Sequence, residues 1–145
     1  MVKTVVSVGL PVDEKLQIRK QTLEAEEHDG KGKRICIVTG THGDELEGQY
    51  VCYELNRRIR EQMEHLKGTV DIYPALNPLG VDSITRGIPM FDLDMNRIFP
   101  GSEEGPVPEY VAHRIMEDIR GADMCVDIHA SNIFLREIPQ VRFSS

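Results

Sequence analysis

The stretch RICIVTGTHGDELEG, Arg34 to Gly48, decides the fold. It opens on a continuous apolar run, Ile35 to Val38, of the kind found in a strand buried on both faces of a sheet. Glycines at 40 and 43 then permit a tight turn, and an amphipathic pattern begins at once. Val51, Leu55, Ile59, Met63 and Leu66 recur at steps of three and four, which predicts a helix that Gly68 closes. Strand, turn and helix in direct succession are the unit of an α/β sheet. Within the turn, Asp44 followed by Glu47 fits a capping box, which would make Glu45 the first helical residue and leave His42 just outside it.

Working outward, the alternation continues. KTVVSVGL, residues 3–10, is β-branched and ends at Pro11, so it reads as a strand. KLQIRKQTLEAEE, residues 15–27, alternates at Leu16 and Ile18 and favours a strand over a helix. Residues 26–33 have turn composition. TVDIYPALN, residues 69–77, is the next strand, residues 106–119 a second helix with Val107, Val111, Ile115 and Ile119 on one stripe, and ADMCVDIHA, residues 122–130, another buried strand. The expected architecture is an open mixed, largely parallel sheet with helices on both faces. Between Asn77 and Gly105 no helix or strand is evident, and a loop of that length inside a domain is usually functional.

Composition excludes several classes. With 40% hydrophobic and 28% charged residues the chain is of globular type, and a net charge of −7 with no basic run argues against a nucleic-acid surface. No segment approaches the roughly 18 apolar residues of a membrane span. The N-terminus has one Lys and a short apolar run followed by acids, so a signal peptide is not expected. Cys36, Cys52 and Cys125 are odd in number, lack C-x-x-C spacing and lie among apolar neighbours. They read as reduced core residues of a cytoplasmic protein.

The chemistry concentrates at predicted strand ends. In an open α/β sheet ligands bind outside the carboxyl ends of the strands. His42 and Glu45 follow one strand, the long loop follows a second, and His129 follows a third. If those strands are parallel, His42, Glu45 and His129 converge as three ligands of a catalytic-type zinc site. Asp127, two residues before His129, would share its face and could orient a ligand as a hydrogen-bond acceptor. His28, His65 and His113 read as solvated or core-edge residues, and Asp92 and Asp94 as residues that fix the loop.

Five segments then occur together and in order: GTHGDELEG at 40–48, NPLG at 77–80, Arg86, FDLDMNRIFPG at 91–101 and DIHASN at 127–132. In this the chain resembles the succinylglutamate desuccinylase/aspartoacylase family, a branch of the zinc carboxypeptidase-like hydrolases, over residues 35 to about 140. The resemblance implies that His42, Glu45 and His129 hold Zn2+, that Arg86 polarises the scissile carbonyl, and that Asn96 and Arg97 grip a substrate carboxylate. An arginine suits that grip because its planar fork meets a carboxylate with two parallel hydrogen bonds. The implied reaction is hydrolysis of an amide in an N-acyl amino acid or similar small carboxylate, with no nucleic-acid or membrane partner and with a homo-oligomer as one option. A metallocarboxypeptidase, or a zinc- or ligand-binding module without turnover, are the alternatives. The family's general base is a Glu well downstream of the third ligand, followed by a C-terminal β domain. Only Glu137 is acidic after His129, and Arg136 is the one candidate for a further cationic contact that the reading names. Residues 1–145 are therefore expected to be the N-terminal portion of a longer catalytic domain, its C-terminal part absent.

Overall fold

Alternation along the third strand sets the layers. In a computed structural model, which describes residues 1–26 and 32–143, strand β3 (Arg34–Thr39) points Cys36 and Val38 to one face and Ile37 to the other. Cys36 and Val38 pack with Ile18 and Tyr73 beneath Val111 and Ile115 of helix α3 (Val107–Ile119). Ile37 lies with Leu23 and Ile72 beneath Cys52, Leu55 and Ile59 of helix α1 (Glu47–Arg60). Helices thus cover both faces, as the unbroken apolar run of β3 requires.

The remaining strands are β1 (Val2–Gly9), β2 (Lys15–Glu24), β4 (Thr69–Tyr73) and β5 (Met124–Ile128), in the order β1-β2-β4-β3-β5. The sheet is mixed. β1 and β2 form an antiparallel hairpin and β2 runs antiparallel to β4, while β4, β3 and β5 are parallel. The parallel half matters for function, because β3, β4 and β5 all deliver their C-terminal loops to one rim.

A buried polar network ties the hairpin to α3. Asp71 is 2% exposed and accepts from Thr22 Oγ1 at 2.7 Å, from Arg34 Nη2 and Nε at 2.8 and 2.9 Å, and from Lys20 Nζ at 3.1 Å. Lys20 also pairs with Asp118 at 2.7 Å, and Arg34 donates to the Asp118 carbonyl. Every buried charge here has a partner, the condition under which burial is tolerated.

Several expectations need correction. Helix α1 begins at Glu47 rather than Glu45, its N-cap Leu46 makes no side-chain cap, and one buried oxygen of Asp44 has no partner among the described residues. Glu45 stays in the turn because its carboxylate reaches across to the end of β5, where the Ala130 amide donates to it at 2.9 Å. The helix stops at Arg60, and a separate 3-10 turn holds Met63–His65. Met63 and Leu66 still pack on the α1 side, so the apolar period runs on past the break. The long segment contains a short helix α2 (Pro78–Ser83) and a 3-10 turn at Met95–Arg97. Strand β5 is not buried: it lies outermost in the sheet, Met124 is 56% exposed, and Cys125 is exposed while Cys36 and Cys52 are buried. Residues 27–31 of the turn expected over 26–33, His28 among them, lie outside the described residues. His65 is exposed and His113 half-buried.

Candidate metal centre

The turn after β3 is shaped by close backbone approach. Gly40 has φ +65°, a conformation that side chains resist. A Cβ on Gly43 would lie 1.9 Å from the Gly80 carbonyl carbon, so α2 can rest against the turn only where residue 43 is glycine. The Gly43 amide donates to the Thr85 carbonyl at 3.0 Å, which draws the residue before Arg86 over the turn. His42 and Glu45 are 3% and 6% exposed, respectively.

His129, at the end of β5, meets them. His42 Nδ1 lies 2.8 Å from Glu45 Oε1, His129 Nδ1 lies 3.0 Å from Glu45 Oε2, and the two rings are 5.0 Å apart. One ligand atom from each residue falls within 4.8 Å of the other two. The outer ring nitrogens are both engaged: His42 Nε2 lies 2.9 Å from Asp94 Oδ1, and His129 Nε2 lies 2.9 Å from Asp127 Oδ2. An imidazole that donates outward to a carboxylate presents its other nitrogen, unprotonated, to a metal. Two nitrogens and a carboxylate facing one point, each ring backed by an acid, are the donor set of a three-ligand zinc site. The residues present therefore fit the ion.

The electrostatics point the same way. Burial pushes the Glu45 carboxyl up, but the Ala130 amide and the two imidazoles outweigh it and hold the group below the usual carboxylate range. Asp94 is likewise held low, with burial opposed by His42, the Asn96 amide and Arg86. The Asp127 hydrogen bond, against the effect of burial, lifts His129 to about 9, with further support from the Asp127 charge and Glu45. Three carboxylates around two imidazoles give a site that welcomes a cation.

The cationic residues lie on the outer side. Arg86 Nη1 is 3.3 Å from Glu45 Oε1 and its Nη2 is 3.6 Å from Asp94 Oδ2. Arg97 Nε is 3.8 Å from the same Asp94 oxygen, with its side chain 85% exposed, and Asn96 is exposed beside it. The structure thus gathers His42, Glu45, His129, Asp127 and Arg86 at one point and sets Asn96 and Arg97 at its open rim. Asp94 is the residue that sequence reasoning undervalued. It does fix the loop, capping the 3-10 turn through the Asn96 amide at 3.0 Å, but it also backs His42. Nothing in the D-x-D spacing separates it from Asp92. Arg136 and Glu137 are exposed, and neither is joined to the cluster by a hydrogen bond among the described residues.

An open α/β sheet with a His-Glu-His cluster beyond its parallel strands defines a carboxypeptidase-like protein. The fold compares accordingly: a metallo-carboxypeptidase from Burkholderia cenocepacia superposes over 90% of this chain and 36% of its own, with a TM-score of 0.69 at 21% identity. The succinylglutamate desuccinylase/aspartoacylase catalytic domain matches residues 31–142, and the chain belongs to that family. A succinylglutamate desuccinylase/aspartoacylase from Rhodobacter sphaeroides has a TM-score of 0.76 at 28% identity, over 90% of this chain and 40% of that one. The N-alpha-acetyl-L-2,4-diaminobutyric acid deacetylase of Halomonas elongata is 33% identical over 113 residues, which is 76% of this chain and 32% of the relative. The chain therefore spans about a third of the length of that curated relative. Among the described residues no helix is long and apolar enough to cross a membrane.

Proposed function

We propose that this chain furnishes the metal-binding part of a zinc-dependent amidohydrolase that removes the acyl group from a small N-acyl amino acid. The observation that carries the reading is the convergence of His42, Glu45 and His129 with each ring backed by a carboxylate. When bound, zinc supplies Lewis acidity that polarises a carbonyl and eases deprotonation of water near neutral pH. The chain's own residues would do the rest. Arg86, held beside Glu45 with its side chain 57% exposed, donates to the carbonyl oxygen as negative charge develops on it, an interaction strongest in the transition state. Asn96 and Arg97, exposed at the rim, hold the substrate carboxylate and so orient the amide.

Membership of a family whose named members are deacylases and desuccinylases supports an acyl amide over a peptide C-terminus. Glu45, Asp94 and Asp127 are all engaged by imidazoles, so none is free to receive a proton from water. Removal of a proton-transfer group costs about 10² to 10⁴ in rate. Residues 1–145 alone are therefore expected to bind zinc stoichiometrically and turn over slowly. The partner is the small carboxylate substrate, with no nucleic acid or membrane and with a homo-oligomer as one option, and the site of action is the cytoplasm.

Metal analysis of the wild-type chain and of His42→Ala tests the centre: one zinc per chain is expected in the first and none in the second. Unchanged zinc in His42→Ala would move the site elsewhere. Hydrolysis of N-acetyl amino acids beside short peptides, with Arg86→Ala as the background, tests the chemistry. Preferential release of C-terminal residues from peptides would replace the deacylase reading with the carboxypeptidase one.

A further inference from the structure

The stretch Asn77-Pro78-Leu79-Gly80 has no role in the chemistry above, yet Asn77 is 3% exposed and bonded on every side. Its main-chain amide donates to the Gly40 carbonyl at 2.8 Å, at the root of the metal turn. Its side-chain oxygen accepts from the Gly80 amide at 2.9 Å and caps α2. Its side-chain nitrogen donates to the Gly87 carbonyl at 2.9 Å. On the other side of Arg86, the Thr85 carbonyl accepts from Gly43 and the Thr85 amide donates to the Gly80 carbonyl at 2.9 Å. Arg86 lies in neither helix nor strand, and its backbone is anchored through the residues before and after it.

We propose that Asn77 is a positioning residue for Arg86: with its main chain pinned by Gly40 and its side-chain oxygen by Gly80, its side-chain nitrogen holds the Gly87 carbonyl and so fixes the arginine beside the metal ligands. The inference rests on reading Arg86 as the cation that faces the reacting carbonyl. Asn77 touches neither that carbonyl nor the Arg86 side chain. The surroundings are built around it. A Cβ on Gly80 would lie 2.2 Å from the Asn77 side-chain nitrogen, and a Cβ on Gly43 would strike Gly80. Metal turn, α2 and the Arg86 segment are therefore stacked through Gly43, Gly80 and Asn77 with no side chain interposed.

A plain helix cap needs only an acceptor, which Asp or Ser supplies as well as Asn. This position also needs a donor. The discriminating perturbation is thus Asn77→Asp, which keeps the cap on Gly80 but turns a carboxylate oxygen toward the Gly87 carbonyl. Asn77→Ser keeps a capping hydroxyl too short to reach Gly87, and it is read in the same way if the first variant does not fold.

The deciding readout is independent of catalysis. In the ¹⁵N-labelled chain, the heteronuclear NOE of the Arg86 side-chain Nε, assigned by its loss in Arg86→Lys, reports how firmly the guanidinium is held. Arg34, whose Nε is held by Asp71 at 2.9 Å, is the internal control. The expected result is a fall at Arg86 with Arg34 unchanged. An unchanged Arg86, or a parallel fall at both arginines, overturns the proposal and leaves Asn77 a structural cap. In the zinc-loaded protein, Asn77→Asp should lower kcat by about 10², the scale of an ångström of misplacement, with KM little changed. The loss should vanish in an Arg86→Ala background, and an equal loss in both backgrounds counts against positioning. A wild-type protein that neither binds zinc nor hydrolyses an acyl amide overturns the hydrolase reading instead, and the NOE then decides the positioning by itself.

Discussion

Replacing Asp94 with Asn should weaken zinc binding although Asp94 is not a ligand. Its Oδ1 lies 2.9 Å from His42 Nε2, and the same oxygen accepts from the Asn96 amide. His42 is 3% exposed, so its ring cannot exchange this partner for bulk water. Loss of such an outer partner typically costs 10- to 100-fold in metal affinity, or about 1.4 to 2.7 kcal/mol. Asn can still present an oxygen to the ring, so what is lost is the charge that makes His42 the stronger donor. Asp94→Asn should therefore fall near the lower end, about tenfold, and Asp94→Ala near the upper end, because it strands a buried ring nitrogen. Asp127 backs His129 at the same distance with its side chain 37% exposed against 22% for Asp94, so solvent should mute Asp127→Asn relative to Asp94→Asn. The assay is competition for zinc against a chromophoric chelator near neutral pH, with Asp92→Asn as the control for a loop charge without an imidazole contact. Zinc affinity in Asp94→Asn within twofold of wild type would refute the argument that the carboxylate tunes His42.

Other consequences follow from the same geometry. Zinc must displace the proton that the Asp127 hydrogen bond and Glu45 hold on His129 up to about pH 9. Apparent affinity should rise about tenfold per pH unit from neutrality toward that value and then level off, and isothermal titration in buffers of different ionisation heat should show proton release. Asp71 carries the buried network, so Asp71→Asn leaves Lys20 and Arg34 short of a counter-charge. It should cost about 3 to 5 kcal/mol, seen as a drop of roughly 10 to 15 °C in thermal midpoint. Burial raises the Asp71 carboxyl, but Thr22, Arg34 and Lys20 more than offset this and hold it below the unfolded value near 3.9. Its stabilisation is thus full above that value and lost as pH falls through the lower folded one. A wild-type midpoint that declines in acid no more steeply than that of Asp71→Asn would contradict the assignment. Arg97→Lys retains charge without the fork and should raise KM for a carboxylate substrate roughly tenfold, whereas an unchanged KM removes Arg97 from the carboxylate grip.

Much of this was legible in the sequence because the period of the apolar residues carries the fold. The run from Ile35 to Val38 marked a central strand, and Val107, Val111, Ile115 and Ile119 marked α3. Where one pattern served two structures, the sequence reading went astray. Met63 and Leu66 extend the α1 stripe although the helix ends at Arg60, because the following turn packs on the same side. The six residues of α2 are too few to display a period, although Asn77-Pro78 is a start signal for a helix. The apolar composition of β5 suggested burial, but burial depends on what lies beside the strand, and among the described residues only β3 pairs with it. The clustering of His42, Glu45 and His129 was legible from their places at strand ends. Asp94 was read as a loop residue, since its contact with His42 spans 52 positions of chain and leaves no local trace.

The placement of His42, Glu45 and His129 makes the cluster a structural joint as well as a candidate metal site. His42 and Glu45 belong to the turn after β3, a strand paired on both sides, whereas His129 and Ala130 follow β5, which among the described residues pairs only with β3 and exposes Met124 and Val126. Glu45 already spans the gap through His129 and the Ala130 amide. A cation held by all three residues would strengthen the connection between a strand paired on both sides and an edge strand of the described sheet. Ligand binding to the folded state alone adds about 2.7 kcal/mol at a hundred times the dissociation constant. That increment would fall on β5, whose residues are mostly exposed. Glu45 thereby ties the end of β5 to the turn after β3, so a variant at Glu45 must be judged for fold as well as for metal binding.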